Sequence, residues 1–353
     1  MSTLLSDFEG LLDWPNIQEW LKAQDVPGQG PVTAVERLPG GSQNNIFRCT
    51  REGGSFVLRR PPMHLRANSN DTMLREARVL AALAGSAVPH PAFLAVCPDL
   101  SVSGAVFYLM EPLDGFTPIG ALPGAYADDP AWRRAMGPEL VAAAAALGKV
   151  DHVAVGLADF GKPDNWHQRQ VTRWRSQLDG YRDMPGYPGE GLPKVDAIGE
   201  WLEKYCPASG KIGIIHGDLQ FANVMFRRDA PTLAGLIDWE LSTLGDPLLD
   251  LGWILTSWTE PDDPAVSGRT PAVTPWDGFM TRAELVSMYG RLTGRDMTGM
   301  PWYFVLACFK LACLLEGTYA RACGGKAAME MGLYLHNYAL WLLAKADQLI
   351  ARN

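Results

Sequence analysis

Hydrophobic and polar positions follow two different rhythms along this chain. From Val32 to about Pro112 the apolar residues come in short runs bounded by turn residues, the pattern of strands. Runs 32–38, 45–51 and 55–60, with a turn at Gly53 and Gly54 between the last two, predict an antiparallel meander. A helix is expected over 70–84, where Leu74, Ala77, Leu80, Ala81 and Ala84 recur at helical spacing and Asn70 or Asp71 can cap the start. Strands at 92–97 and 105–111 would complete a five-stranded sheet with one helix. Beyond Pro112 the period becomes helical, over 132–150, 165–181, 194–205, 247–258, 281–292, 302–323 and 326–351. Short strands at 212–215, 224–226 and 233–237 interrupt it.

At roughly 150 residues per domain, 353 residues imply about two lobes. The change of rhythm divides them into 1–112, rich in strands, and 113–353, mainly helical, with a cleft between. Lobe boundaries favour ligand sites. The class is α+β: a small antiparallel-sheet lobe with one helix, and a larger helical lobe. No internal repeat is visible, and the alanine run 142–146 lies inside a helical pattern.

Composition narrows the function classes. Hydrophobic residues are 47% and charged residues 20%, an ordinary globular balance. The 39 acidic residues exceed the 31 basic ones, for a net charge of −8, which disfavours nucleic acid and anionic membranes as partners. No run of about 18 apolar residues is apparent, and the first ten residues lack the basic start and long apolar core of a secretory signal, so a cytosolic protein, monomer or homodimer, is expected. The six cysteines form no CxxC pair and read as reduced, mostly buried thiols.

The densest chemistry is in IIHGDLQFANVMF, from Ile214, and IDWELSTLGDPLLDL, from Leu236. Asp218, Asn223, Asp238, Asp246 and Asp250 stand among apolar neighbours, where carboxylates are costly unless ions or hydrogen bonds satisfy them. Asp218 would leave one strand and Asp238 end another. With the amide of Asn223 they could meet on a hard cation, and oxygen ligands suit magnesium better than zinc.

These residues resemble the aminoglycoside phosphotransferase superfamily, which has the bilobal protein-kinase-like fold and includes choline kinases. The similarity runs from the loop at Gly40 to the helix after Asp250, and extends to the phosphotransferase domain fused to acyl-CoA dehydrogenases in animals. The resemblance implies that Asp218 of His216-Gly217-Asp218 is the catalytic aspartate, and that Asn223 and Asp238 hold Mg2+ on the phosphates of ATP. It implies that Gly40, Gly41, Ser42, Asn44 and Asn45 lie in the loop covering the phosphates, and that backbone groups of Glu111 and Leu113 bind the adenine edge. Arg59 stands where the family usually has a phosphate-binding lysine. It can still grip phosphate oxygens and pair with Glu76, although its fork is longer, which leaves Arg60 as a substitute. His216 reads as a buried loop support, Asp246 as a helix cap and Asp250 as a partner of the catalytic-loop backbone.

Only seven residues separate Asp238 from Asp246, too few for a segment on which a polypeptide substrate could lie, so the expected acceptor is a hydroxylated small molecule. Arg173, Trp174, Arg175, Lys310, Tyr319 and Arg321 are candidate contacts. The resemblance implies a hydroxy acid or hydroxyacyl-CoA. Two other functions compete: a weakly active pseudokinase-like nucleotide-binding module, motivated by Arg59, and a hydrolytic metal centre on His216, Asp218, Asp238 and Asp250.

Overall fold

The computed structural model describes residues 8, 10–38, 44–65, 67–189, 191–208, 210–264 and 273–352. Gly40, Gly41 and Ser42, expected over the phosphates, lie outside them. In chain order, the first part holds α1 (Trp14–Leu21), β1 (Gln29–Arg37), β2 (Asn45–Glu52), β3 (Gly54–Arg60), α2 (Ser69–Ala82), β4 (Phe93–Cys97), α3 (Leu100–Ser103) and β5 (Phe107–Met110). The five strands form one antiparallel sheet in the order β1-β2-β3-β5-β4.

The sheet is buried on both faces. Phe47, Cys49, Phe56 and Leu58 face Trp14, Ile17 and Leu21 of α1, a helix the sequence reading lacks. Asp13 caps α1 by accepting the Asn16 N–H, and Pro15 fits its first turn. The other face packs on α2 through Met73, Ala77 and Leu80. Leu74, expected on that face, is exposed, and the buried position next along is the charged Glu76. Asn70 does not cap α2: its Oδ1 accepts the Val106 N–H instead.

The helical body holds β6 (Gly120–Ala121), α4 (Ala125–Asp128), α5 (Pro130–Leu147), α6 (Arg169–Asp179), α7 (Val195–Lys204), β7 (Gly213–Ile215), β8 (Val224–Phe226), β9 (Leu233–Leu236), β10 (Thr243–Gly245), α8 (Leu248–Ser257), β11 (Val273–Thr274), α9 (Arg282–Thr293), α10 (Met300–Cys323) and α11 (Met329–Arg352). By length and composition α10 could cross a bilayer, contrary to expectation, yet 78% of its apolar stretch is buried inside the molecule. It is a core helix packed on α6, α8 and α11.

Two small ladders set the geometry of the site. β7 pairs with β10, and β8 with β9, both antiparallel. The loop between β7 and β8 and the turn between β9 and β10 therefore emerge side by side, stitched by the Ile237 N–H on the Asn223 carbonyl at 2.9 Å. Arg75 of α2 ties the sheet to this region through the carbonyls of Phe160 (2.9 Å) and Ser242 (3.3 Å).

Candidate active site

Asp218, Asn223 and Asp238, separated in sequence, share one region. The Asn223 amide nitrogen donates to Asp218 Oδ2 at 2.6 Å and to the Asp218 carbonyl at 2.8 Å. Asp218 Oδ1 accepts from Gln220 at 2.8 Å. Burial pushes the Asp218 carboxyl up from its ordinary range, opposed by the ammonium of Lys310 and the amide of Asn223.

Asp238 follows β9 with φ +65° and ψ +68°, a left-handed conformation rare for a residue other than glycine. Its Oδ1 takes Arg59 at 2.7 Å. Its Oδ2 and the Asn223 side-chain oxygen have no partner among the described residues. Two unpartnered oxygens of this kind on adjoining loops fit a hard divalent cation.

Arg59 belongs to a buried ionic cluster. Its Nε lies 3.0 Å from Glu76 Oε2, and the Tyr108 hydroxyl donates to the same oxygen at 2.9 Å. Burial raises the Glu76 pKa to about 7, against the pull of Arg59. Burial would lower Arg59, but Glu76, Tyr108 and Asp238 outweigh it and hold its pKa well above the usual value. Arg60, the suggested substitute, pairs with Asn45 in the β2–β3 ladder, and strand alternation sends it to the opposite face. It is buried, and burial lowers its pKa.

The backbone of the loop between β7 and β8 is gripped from below. Asp250, on the wholly buried α8, accepts the N–H groups of His216 (2.7 Å) and Gly217 (2.9 Å), as expected. Burial raises its pKa to about 6. His216 Nε2 donates to the Ile237 carbonyl at 2.9 Å, and burial drops the imidazole to about 4, so the ring is a neutral strut joining both loops. Asp246 is more than a cap. It accepts the Leu248 N–H at 3.0 Å, Arg295 at 2.5 and 3.0 Å, and the Tyr303 hydroxyl at 2.8 Å.

The remaining candidates divide. Asn44 reaches across to Glu240 at 3.4 Å, while Asn45 is inside the sheet, bonded to Arg37 and to the Pro61 carbonyl. The Glu111 N–H is taken by Ala92 at 2.8 Å, leaving its carbonyl, and the Leu113 N–H has no partner among the described residues. Arg175 is turned to α7, on the Asp196 carbonyl. Tyr319 packs on His336, and Arg321 bonds Thr318. Lys310, expected against the acceptor, is buried beneath the loop that carries Asp218. Gln220 and Tyr108, bonded to Asp218 and Glu76, stand outside the sequence expectation. Gln220 had a signal, its place two residues after Asp218, whereas Tyr108 looks like any strand aromatic.

A hydrolytic centre does not fit these contacts. Both Asp250 oxygens are spent on backbone N–H groups, and the His216 ring is buried with Nε2 on a carbonyl. Among the described residues no three His, Cys, Asp or Glu side chains converge as metal ligands.

The model of the phosphotransferase enzyme family, APH, matches residues 34–274. The chain belongs to that family. It is 32% identical to a Ralstonia eutropha JMP134 protein crystallised as a candidate aminoglycoside phosphotransferase, with TM-score 0.78 over 95% of this chain and 98% of that one. The phosphotransferase APH(4)-Ia, solved with ADP and hygromycin B, is 15% identical with TM-score 0.56, over 95% of this chain and 98% of that one, and shares the fold. Curated relatives include acyl-CoA dehydrogenase family member 10 of Mus musculus, 30% identical over 85% of this chain, and member 11 of Rattus norvegicus, 29% over 87%. The matches span 27% and 39% of those two proteins. The phosphotransferase fold is therefore the kinase-like α+β arrangement expected, and its family and structural neighbours are small-molecule phosphotransferases.

Proposed function

We propose that this phosphotransferase moves the γ-phosphoryl group of ATP, with Mg2+, to a hydroxyl of a small molecule. Residues 1–112 form the nucleotide-binding lobe, and 113–353 carry the catalytic loop and the acceptor site. The observation that carries this is that Asn223 holds Asp218 at 2.6 Å while Asp238, on the adjoining turn, pairs with Arg59 at 2.7 Å. Asp218 orients the acceptor hydroxyl and takes its proton as the oxygen bonds to phosphorus. The bond from phosphorus to the bridging oxygen breaks, and ADP leaves with the electron pair. Asn223 and Asp238 would hold Mg2+, which neutralises phosphate charge. Arg59 steadies phosphate oxygens, with Glu76 fixing its fork, while Gly40, Gly41, Ser42 and Asn44 cover the phosphates. The Glu111 carbonyl and Leu113 N–H receive the adenine edge.

For the acceptor we propose a hydroxy acid or hydroxyacyl-CoA. Arg173 supports this: its guanidinium is stacked 4.8 Å from the centre of the Trp174 ring, with no hydrogen bond or ion pair among the described residues. An exposed cation near Lys310 suits a carboxylate or phosphate and disfavours polycationic acceptors. A nucleotide-consumption screen over hydroxy acids, hydroxyacyl-CoA thioesters, amino alcohols and aminoglycosides tests it. Asp218→Asn should lower turnover on the hit at least about 10³-fold while Mg·ATP binding persists. Parent-like turnover in that variant refutes the assignment.

A further inference from the structure

Lys310 sits midway along α10, 93 residues beyond Gly217, and is only 5% exposed. Its ammonium donates to the Gly217 carbonyl at 2.7 Å and lies 4.9 and 5.3 Å from the ring centres of Trp253 and Trp174. An ammonium in so apolar a slot is expensive, and burial accordingly lowers its pKa, with the carboxylates of Asp218 and Asp250 as the opposing influence. A leucine or methionine would fill the same space without that cost, so the charge calls for another reason.

The Gly217 carbonyl belongs to the peptide leading into Asp218, whose plane sets the direction in which the Asp218 side chain departs. The Gly217 N–H is already held by Asp250 at 2.9 Å, and the residue stands at φ +82°. Asp250 thus grips the backbone by its donors and Lys310 by its acceptor. We propose that Lys310 is a positioning residue for phosphoryl transfer, holding the peptide before Asp218 through the Gly217 carbonyl so that the carboxylate meets the acceptor hydroxyl at a productive distance. This rests on the role of Asp218 proposed above.

The test uses the full chain, Lys310→Met, and Lys310→Gln, whose amide stops about one bond short of the carbonyl. In either folded variant kcat should fall about 10²-fold, with the Kd for Mg·AMP-PNP and the acceptor KM within about threefold of the parent. A general loosening of the fold would instead weaken nucleotide binding and kcat together, and that outcome overturns the proposal. So does a kcat within about twofold of the parent. Asp218→Asn, run alongside, separates the two levels. If it is inactive while Lys310→Met is fully active, only the role of Lys310 falls. If it retains turnover, the proposed phosphotransfer role of Asp218 falls first.

Discussion

Gly217→Ala tests whether the loop bearing Asp218 and the turn after Asp238 are held at contact distance. Two costs are separable. The first is conformational, since an alanine at φ +82° pays roughly 1–2 kcal/mol. The second is steric, because an added Cβ would lie 2.4 Å from the Leu241 carbonyl oxygen. Real Cβ atoms stay beyond 3.0 Å, so something must shift, and the obstacle is backbone, not the end of a flexible side chain. Overpacking of this kind costs about 1–3 kcal/mol, for a total of about 2–5 kcal/mol. Gly53→Ala is the control, because Gly53 has φ +75° but nothing within 4 Å of an added Cβ. It should cost only about 1–2 kcal/mol. Urea unfolding of both variants isolates the steric cost as the difference between them. Leu241 lies in the turn that follows Asp238, so any relaxation at residue 217 parts the loops bearing Asp218 and Asp238. The alanine variant should therefore also lose about ten- to a hundredfold in kcat, while Gly53→Ala keeps parent activity. Equal unfolding costs at the two glycines, or parent turnover in Gly217→Ala, would refute the close approach.

Arg59→Met should destabilise by about 3–5 kcal/mol, because Glu76 and Asp238 lose the cation that compensates them in a buried cluster; a shift in the denaturant midpoint worth less than about 1 kcal/mol contradicts this. Asp246 is held down to about 2, since the hydrogen bonds from His167 and Arg295 outweigh the burial that would raise it. A folded pKa below the unfolded value means stability is present above about 3.8 and is lost as the pH falls through about 2, an effect of about 2 kcal/mol. Arg295→Met should flatten that acid-side loss in urea titrations at successive pH values, and an unchanged slope would show that Arg295 does not hold the carboxylate down.

The sequence by itself determined most of the elements and marked the residues of the candidate site. Short apolar runs bounded by turn residues marked all five strands of the sheet, and helical spacing located α5, α8 and α10 to within a few residues, because a buried element must carry apolar side chains wherever its backbone turns them into the core. The short interval between Asp218 and Asn223, and the acids set among apolar neighbours, exposed the loop. Helix α1 escaped because only Trp14, Ile17 and Leu21 of its eight residues are buried, and that face has meaning only once a sheet lies beneath it. Tertiary structure decided the rest. Whether Arg59 or Arg60 enters the cleft is a matter of strand alternation against α2. Lys310, Asp250 and His216 meet at one loop although the chain brings them there from helix, helix and strand end. Hydrogen bonds between such positions leave no local pattern: a buried lysine reads like any other until the helix carrying it is packed under the carbonyl it holds.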